Sequence, residues 1–327
     1  MAPSPLPTIP PAWARLATLT LDPPDSVVPI DAPVVLGLHG LVSSGRTMRH
    51  ALAPLAAEGM RVWLPDALGH GASPMPIDAR YDIETHLATL IAWAGANAGP
   101  GPFWLVGCSM GALLALAWAV RQPERVRGVI LISAPFFADA RAARRFLSHN
   151  PLAAWILNAP WMAEAACHAL CGAHGPARRI SAAQTLSGVF GWGALQMYGL
   201  RSLLPGVPIP PDADSMEQCR AGLLEAFEDC WLPSWPSLYN SMRYSIVEHD
   251  AWSDLERLRG ANIPVCFLHG DKDDLAPIAG ARAAATYGGW PLREYPRATH
   301  ALSISHSRAV GAEIARFVAQ ADAVRTA

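Results

Sequence analysis

The chain has 327 residues, of which 51% are hydrophobic and 16% charged, enough apolar material for a large core and too little charge for a disordered chain. A formal net charge of −2 leaves no excess of cations to neutralise phosphates, which argues against nucleic-acid binding. Lys272 is the sole lysine, so lysine chemistry is excluded everywhere else in the chain.

The chain opens on a stretch punctuated by Pro3, Pro5, Pro7, Pro10 and Pro11, without the basic start and apolar core of a signal peptide. Residues 1–13 therefore read as a flexible lead-in, and the protein as cytoplasmic. Residues 15–21 can form one strand, which Pro23, Pro24 and Pro29 keep from extending further. From Val34 short apolar runs alternate with amphipathic stretches. The runs predict strands at 34–38, 61–64, 103–106 and 129–132, apolar on nearly consecutive positions as strands covered on both faces should be. Helices are predicted around 47–58, 83–94 and 110–121, the second capped by Asp82 with Glu84 in its first turn.

Residues 135–250 break the alternation, with helical patterns, no convincing strand and prolines at 205, 208, 210 and 211. They read as a helical cap inserted between two parts of an α/β core, residues 1–134 and 251–327. Trp155, Trp161, Trp192, Trp231 and Trp235 fall inside it with Met162, Met197, Met216 and Met242, as core packing or as the wall of an apolar pocket. The core resumes with strands at 265–268 and 292–295 and a closing helix around 308–320. The expected architecture is a mostly parallel, twisted central sheet with helices on both faces. The longest apolar run, 112–120, is too short to span a membrane. The 6 cysteines are scattered, as reduced thiols are, and the Cys167, His168, Cys171, His174 group matches no zinc spacing, so no metal is expected.

Directly after the strand at 103–106 comes Gly107-Cys108-Ser109-Met110-Gly111, followed by a helix-forming run. This is a G-x-S-x-G nucleophile elbow in strand, turn, helix context, a sharp turn that lifts the Ser109 hydroxyl above the sheet. Only very small residues fit at Gly107 and Gly111, where strand and helix close together. A serine hydroxyl needs a base, and the base an orienting acid. Two later strand ends supply candidates: the carboxylate-rich loop His269-Gly270-Asp271-Lys272-Asp273-Asp274-Leu275-Ala276-Pro277, and Arg297-Ala298-Thr299-His300-Ala301.

With these motifs the chain resembles the α/β-hydrolase superfamily over nearly its whole length from Val34. The resemblance implies a Ser109, Asp273, His300 triad, with Asp271 and Asp274 as alternatives to the acid and His306 as the nearest alternative base. It also implies an oxyanion hole from the backbone N–H groups of Met110 and of Leu41, the latter in the His39-Gly40-Leu41 turn. His39, and His70 and Ser73 in the 66–73 turn, are expected to be structural. Thr299 stands where glycine is common in the family. No cofactor is implied. The expected activity is hydrolysis of a carboxylic ester of a small to medium, mainly apolar substrate through an acyl-enzyme on Ser109. Carbon–carbon, thioester and amide bonds are open to the same triad, and a non-catalytic ligand-binding protein of this fold is the rival reading.

Overall fold

A computed structural model describes residues 5–21, 32–171, 211–215, 217–219, 221–222 and 234–326. The described strands form one seven-stranded sheet: β1 (Thr18–Leu21), β2 (Val34–Leu38), β3 (Arg61–Pro65), β4 (Phe103–Cys108), β5 (Val126–Ile132), β6 (Val265–Gly270) and β7 (Leu292–Tyr295). Their spatial order is β1-β3-β2-β4-β5-β6-β7. β1 runs antiparallel to β3, and all other pairs are parallel. Parallel neighbours require crossovers, and helices supply them. In chain order α1 (Arg49–Ala57), α2 (Ile83–Asn97) and α3 (Met110–Arg121) follow β2, β3 and β4. After β5 come α4 (Ala140–Leu147), α5 (Pro151–Asn158), α6 (Pro160–Cys171), α7 (Trp235–Asn240), a π-helix at Ser241–Val247 and α8 (Ala251–Arg259). α9 (Ile278–Gly288), α10 (Leu302–Ser305) and α11 (Ser307–Thr326) complete the chain.

The continuous apolar runs are explained by two cores, one on each face of the sheet. Side chains alternate between faces along a strand. On β5, Val129 and Leu131 join α2, α3 and α8 in one core, while Ile130 and Ile132 join α1 and α11 in the other. On β6, Val265 and Phe267 divide from Cys266 and Leu268 in the same way. Each such burial stabilises the fold by roughly 1.5 to 3 kcal/mol relative to exposure.

The helix predicted at 47–58 enters through a 3₁₀ turn, Gly45–Met48, and α2 is capped as expected, the Asp82 carboxylate accepting from the Thr85 N–H at 2.9 Å. The leading edge holds a single strand among the described residues, shorter than residues 15–21 suggested. Part of the lead-in touches the core. Pro11–Ala14 forms a 3₁₀ turn, Leu6 packs on the first core and Trp13 packs on Leu68, Ala79 and Tyr81.

Between β5 and α8 the described residues hold helices and no strand. Three serines four residues apart tie the later part of this stretch to the core. The Ser237 hydroxyl donates to the Gly69 carbonyl at 2.8 Å, Ser241 Oγ lies 3.1 Å from His86 Nε2, and the Ser245 hydroxyl donates to the Tyr81 carbonyl at 2.9 Å. That spacing puts all three on one helical face. Trp155 and Trp235 pack in the region's own apolar cluster, Trp235 stacked on Tyr239, whereas Trp161 and Met162 are exposed. Trp192, Trp231, Met197 and Met216 lie outside the described residues, as do His174 and the side chains of Cys167, His168 and Cys171. Among the described residues no helix is long and apolar enough to cross a membrane.

Candidate active site

Ser109 sits between β4 and α3 at φ 54° and ψ −118°, a left-handed backbone conformation that costs on the order of 1 to 3 kcal/mol and persists only where the surroundings impose it. They do so through close packing. A Cβ on Gly107 would lie 2.2 Å from the Gly111 carbonyl oxygen, and one on Gly111 would lie 2.0 Å from the Leu38 carbonyl oxygen. Neither position admits a side chain, so helix and strand close behind the serine. The Ser109 N–H is held by the Ile132 carbonyl at 2.9 Å.

Three residues from three strand ends meet at this turn. His300 Nε2 lies 2.9 Å from Ser109 Oγ, and His300 Nδ1 lies 2.9 Å from each Asp273 oxygen. All three are buried. Burial works to lower the His300 pKa, but the charge of Asp273 and its hydrogen bond, helped by Asp274, outweigh it and hold the imidazole above its ordinary value. Burial also opposes ionisation of Asp273, and the charge and hydrogen bond of His300, with His269 and the Ala276 N–H, outweigh it and hold the carboxyl below its ordinary range. The Leu275 and Ala276 N–H groups donate to Asp273 Oδ1 at 3.0 and 2.8 Å. The alternatives stand apart. Asp274 is exposed, Asp271 accepts from the Arg297 N–H at 2.6 Å, and His306 bonds Ser305 Oγ and the Pro211 carbonyl.

Met110 is the first residue of α3, where an N–H has no acceptor within the helix. The His39-Gly40-Leu41 turn crosses in front of Ser109 so closely that a Cβ on Gly40 would lie 3.2 Å from the Ser109 Cβ. His39 is engaged at both ring nitrogens, Nδ1–H donating to the Gly40 carbonyl at 2.8 Å and Nε2 accepting from the Ala67 N–H at 2.9 Å. His70 donates to the Leu68 carbonyl, and the Ser73 hydroxyl donates to the Asp66 carbonyl. These contacts shape turns. Over Ser109 and His300 opens a cavity walled mostly by apolar, non-aromatic side chains, with Ser43, Thr47 and Ser303 among its lining, and among the described residues no tryptophan lines it.

His269 has a place that its position in the loop motif did not reveal. It is fully buried, its Nε2–H donates to the Ala276 carbonyl at 3.0 Å, and the same nitrogen lies 3.5 Å from Asp273 Oδ2. Burial is the largest influence on it and lowers its pKa, so it stays neutral with that nitrogen protonated. It thereby ties both ends of the 269–277 loop together behind the Asp273 carboxylate. Replacing His269 with phenylalanine is expected to lower kcat about 10- to 100-fold with little change in KM, because small displacements of a reacting array are costly. His269→Gln, which keeps an N–H, should recover part of the loss in steady-state assays. Equal rates for wild type and the phenylalanine variant would contradict this role.

A mostly parallel sheet with an antiparallel leading strand, crossover helices on both faces and a serine elbow at the end of β4 defines the α/β-hydrolase fold, and this chain has it. The family model for the alpha/beta hydrolase fold matches residues 33–155. The chain is 32% identical over 108 residues to "Probable lysophospholipase BODYGUARD 1" of Arabidopsis thaliana, a match covering 32% of this chain and only 23% of that protein. It is 29% identical over 279 residues to a pimeloyl-(acyl-carrier protein) methyl ester esterase of Chromobacterium violaceum, covering 84% of this chain and 90% of the other. A thermophilic esterase from Thermogutta terrifontis shares the fold with a TM-score of 0.61 at 19% identity, over 94% of this chain and 93% of that one.

Proposed function

We propose that the protein is a serine hydrolase that cleaves a carboxylic ester of a small to medium, mainly apolar acid. The observation that carries this reading is the unbroken hydrogen-bonded chain Ser109, His300, Asp273 at the floor of an apolar cavity. Ser109 Oγ attacks the ester carbonyl while its proton passes to His300 Nε2, and the oxyanion that forms is held by the Met110 and Leu41 N–H groups. The carbon–oxygen bond to the alcohol breaks as His300 returns the proton to the leaving oxygen. Water then repeats the sequence on the acyl-enzyme and frees the acid. Asp273 keeps His300 in the Nδ1–H tautomer and stabilises the imidazolium. The same atoms can serve thioester and amide substrates. The similarity over 84% of the chain to an enzyme named for a methyl ester supports the ester.

In this reading residues 135–250 are a cap over the site, and its side chains set acyl preference. The segment leaves the sheet at the end of β5, beside Ser109, where sites of open α/β sheets lie. Leu147, Ala153, Met242 and Ile246 from this segment line the cavity. Met242→Ala is expected to move the optimum in a p-nitrophenyl ester series toward longer acyl chains. The shift should be graded, since one methylene in an apolar pocket is worth only about 1 to 3 kcal/mol. An unchanged acyl profile in this variant, with the fold intact by circular dichroism, would remove the cap from substrate selection. Absence of ester turnover by the wild type across the whole series would overturn the hydrolase reading itself.

A further inference from the structure

His300 is held from two sides by different parts of the chain. Upstream its loop is tied to the acid loop: the Ala298 carbonyl accepts from the Lys272 N–H at 2.9 Å, and the Arg297 N–H donates to Asp271 Oδ1 at 2.6 Å. Downstream it runs into α10, a helix of only 4 residues that begins at Leu302. So short a helix is not stable alone and needs anchors. Leu302 gives it an apolar one in the second core. The polar one comes from the 135–250 segment. Asp214 is buried, its Oδ2 accepts from the Ser307 N–H at 2.7 Å and from the Ser307 hydroxyl at 2.6 Å, and its Oδ1 accepts from Arg308 Nε–H at 3.0 Å. The Asp214 N–H donates to the Ser305 carbonyl at 2.8 Å, and the Pro211 carbonyl accepts from His306 Nε2 at 3.2 Å. One carboxyl group thus caps the first turn of α11 from a distant segment. A serine or asparagine just before Ser307 would cap that helix without the cost of burying an acid. What the distant acid adds is a tie between residues 211–214 and the α10–α11 junction behind His300.

Resting on the serine-hydrolase reading above, we propose that Asp214 is a positioning residue for His300: by clamping the α10–α11 junction it fixes the far end of α10 and so keeps His300 Nε2 on Ser109 Oγ and Nδ1 on Asp273. Bonds on one side of a loop residue leave it able to swing about that side, whereas bonds on both sides do not. Because Asp214 belongs to the 135–250 segment, that segment serves the base as well as lining the cavity. Asp214 itself does not line the cavity over Ser109. Its loss should therefore slow the proton transfers and leave substrate binding alone.

The test measures kcat and KM on p-nitrophenyl butyrate and the rate of fluorophosphonate labelling of Ser109, at a temperature well below the Tm of each variant. Asp214→Ala is expected to lower kcat about tenfold with KM within about twofold, and to slow labelling by a similar factor. Asp214→Asn should recover most of both rates. An amide oxygen can keep the Ser307 bonds, asparagine caps helices about as well as aspartate, and the Arg308 side chain, 69% exposed, can turn to water. Arg308→Met should accordingly match the wild type. A role confined to stability gives instead a lower Tm with kcat unchanged, and that result would overturn the proposal, as would a change in KM alone. If Asp214→Ala does not fold, Ser307→Ala removes one of the bonds, leaves the carboxyl in place and should still lower kcat by about two- to threefold at unchanged KM. A kcat equal to that of the wild type in Ser307→Ala would then overturn the proposal. Failure of the wild type itself to hydrolyse the ester or to label at Ser109 would remove the hydrolase reading, and this proposal with it.

Discussion

Alanine at Ser109 or at His300 is expected to lower kcat by at least about 10³-fold, because groups that act as one unit lose nearly everything when any reacting member goes. The hydrogen-bond geometry assigns each atom its part. His300 Nε2 is the nitrogen on Ser109 Oγ, and Nδ1 is committed to both oxygens of Asp273. Asp273→Asn is expected to cost less than Ser109→Ala but far more than Asp271→Asn or Asp274→Asn, since an amide can hold the wrong imidazole tautomer while neither neighbour touches His300 Nδ1. His306→Ala should retain far more activity than His300→Ala, as its ring is spent on bonds to Ser305 and Pro211, and His39→Ala should also retain more, since its ring supports the Gly40 turn beside the serine without bonding the serine hydroxyl. The pH profile is set by the same contacts. A protonated His300 cannot accept the serine proton, and Asp273 holds its pKa above 6.5, so kcat/KM should fall as pH drops through a value above 6.5 while Asp273 stays ionised. Steady-state kinetics on p-nitrophenyl butyrate across pH 5 to 9 measure all of this. A histidine other than His300 whose loss is equally severe would displace the assignment.

Acid should destabilise this fold sharply, through three buried histidines that do no proposed chemistry. His39, His70 and His86 form a row, with ring centroids 5.4 Å apart for the first pair and 6.0 Å for the second. All are fully buried. Burial pushes His39 down to about 4, burial and the neighbouring His39 push His70 down to about 3, and burial with both neighbours holds His86 well below its ordinary value. A histidine whose folded pKa is depressed binds its proton more readily when unfolded. Its contribution to stability is therefore complete above pH 6.5 and is lost as pH falls from 6.5 toward the folded value. For His39 alone the loss by pH 4 is about 3 kcal/mol, a substantial part of the 5 to 15 kcal/mol typical of a folded protein. His269 and His306 act in the same direction, while His300, with its raised pKa, opposes them. Tm measured by circular dichroism should drop between pH 7 and pH 5 by an amount on the order of 5 to 10 °C. Replacing His86 with glutamine, which keeps a polar partner for Ser241 without a titrating ring, should flatten that slope. A Tm independent of pH over this range would show that the row does not govern acid stability.

The central strands and the elbow were legible because their constraints are local. β2 and α3 fall where the residue pattern put them, and Gly107 and Gly111 announce in sequence a contact that admits no side chain. The convergence of Ser109, Asp273 and His300 was legible through chain order, since each lies at the end of a parallel strand and such ends share one edge of a sheet. The features that escaped the sequence depend on distant partners. Nothing near His269 indicates that its ring reaches forward to Ala276, and serines at 237, 241 and 245 look like an ordinary polar helix face until the core carbonyls and His86 are placed opposite them. The tryptophans of the 135–250 segment read as core packing or as a pocket wall, and sequence alone did not say which residue did which. The described ones are spent on packing or exposed, and apolar, non-aromatic side chains take most of the wall. The apolar contacts of Leu6 and Trp13 with the core also depend on distant partners and had no local signal in the proline-rich lead-in.

The claim on which all of the proposed chemistry depends is that Ser109 is the nucleophile, and covalent labelling addresses it without reference to any natural substrate. Wild-type protein treated with a fluorophosphonate probe should take up one label per chain, and peptide mapping should place it on Ser109, with no labelling of Ser109→Ala and strongly slowed labelling of His300→Ala. A label on Ser43, Ser44 or Ser133, or ester turnover that persists in Ser109→Ala, would contradict that claim.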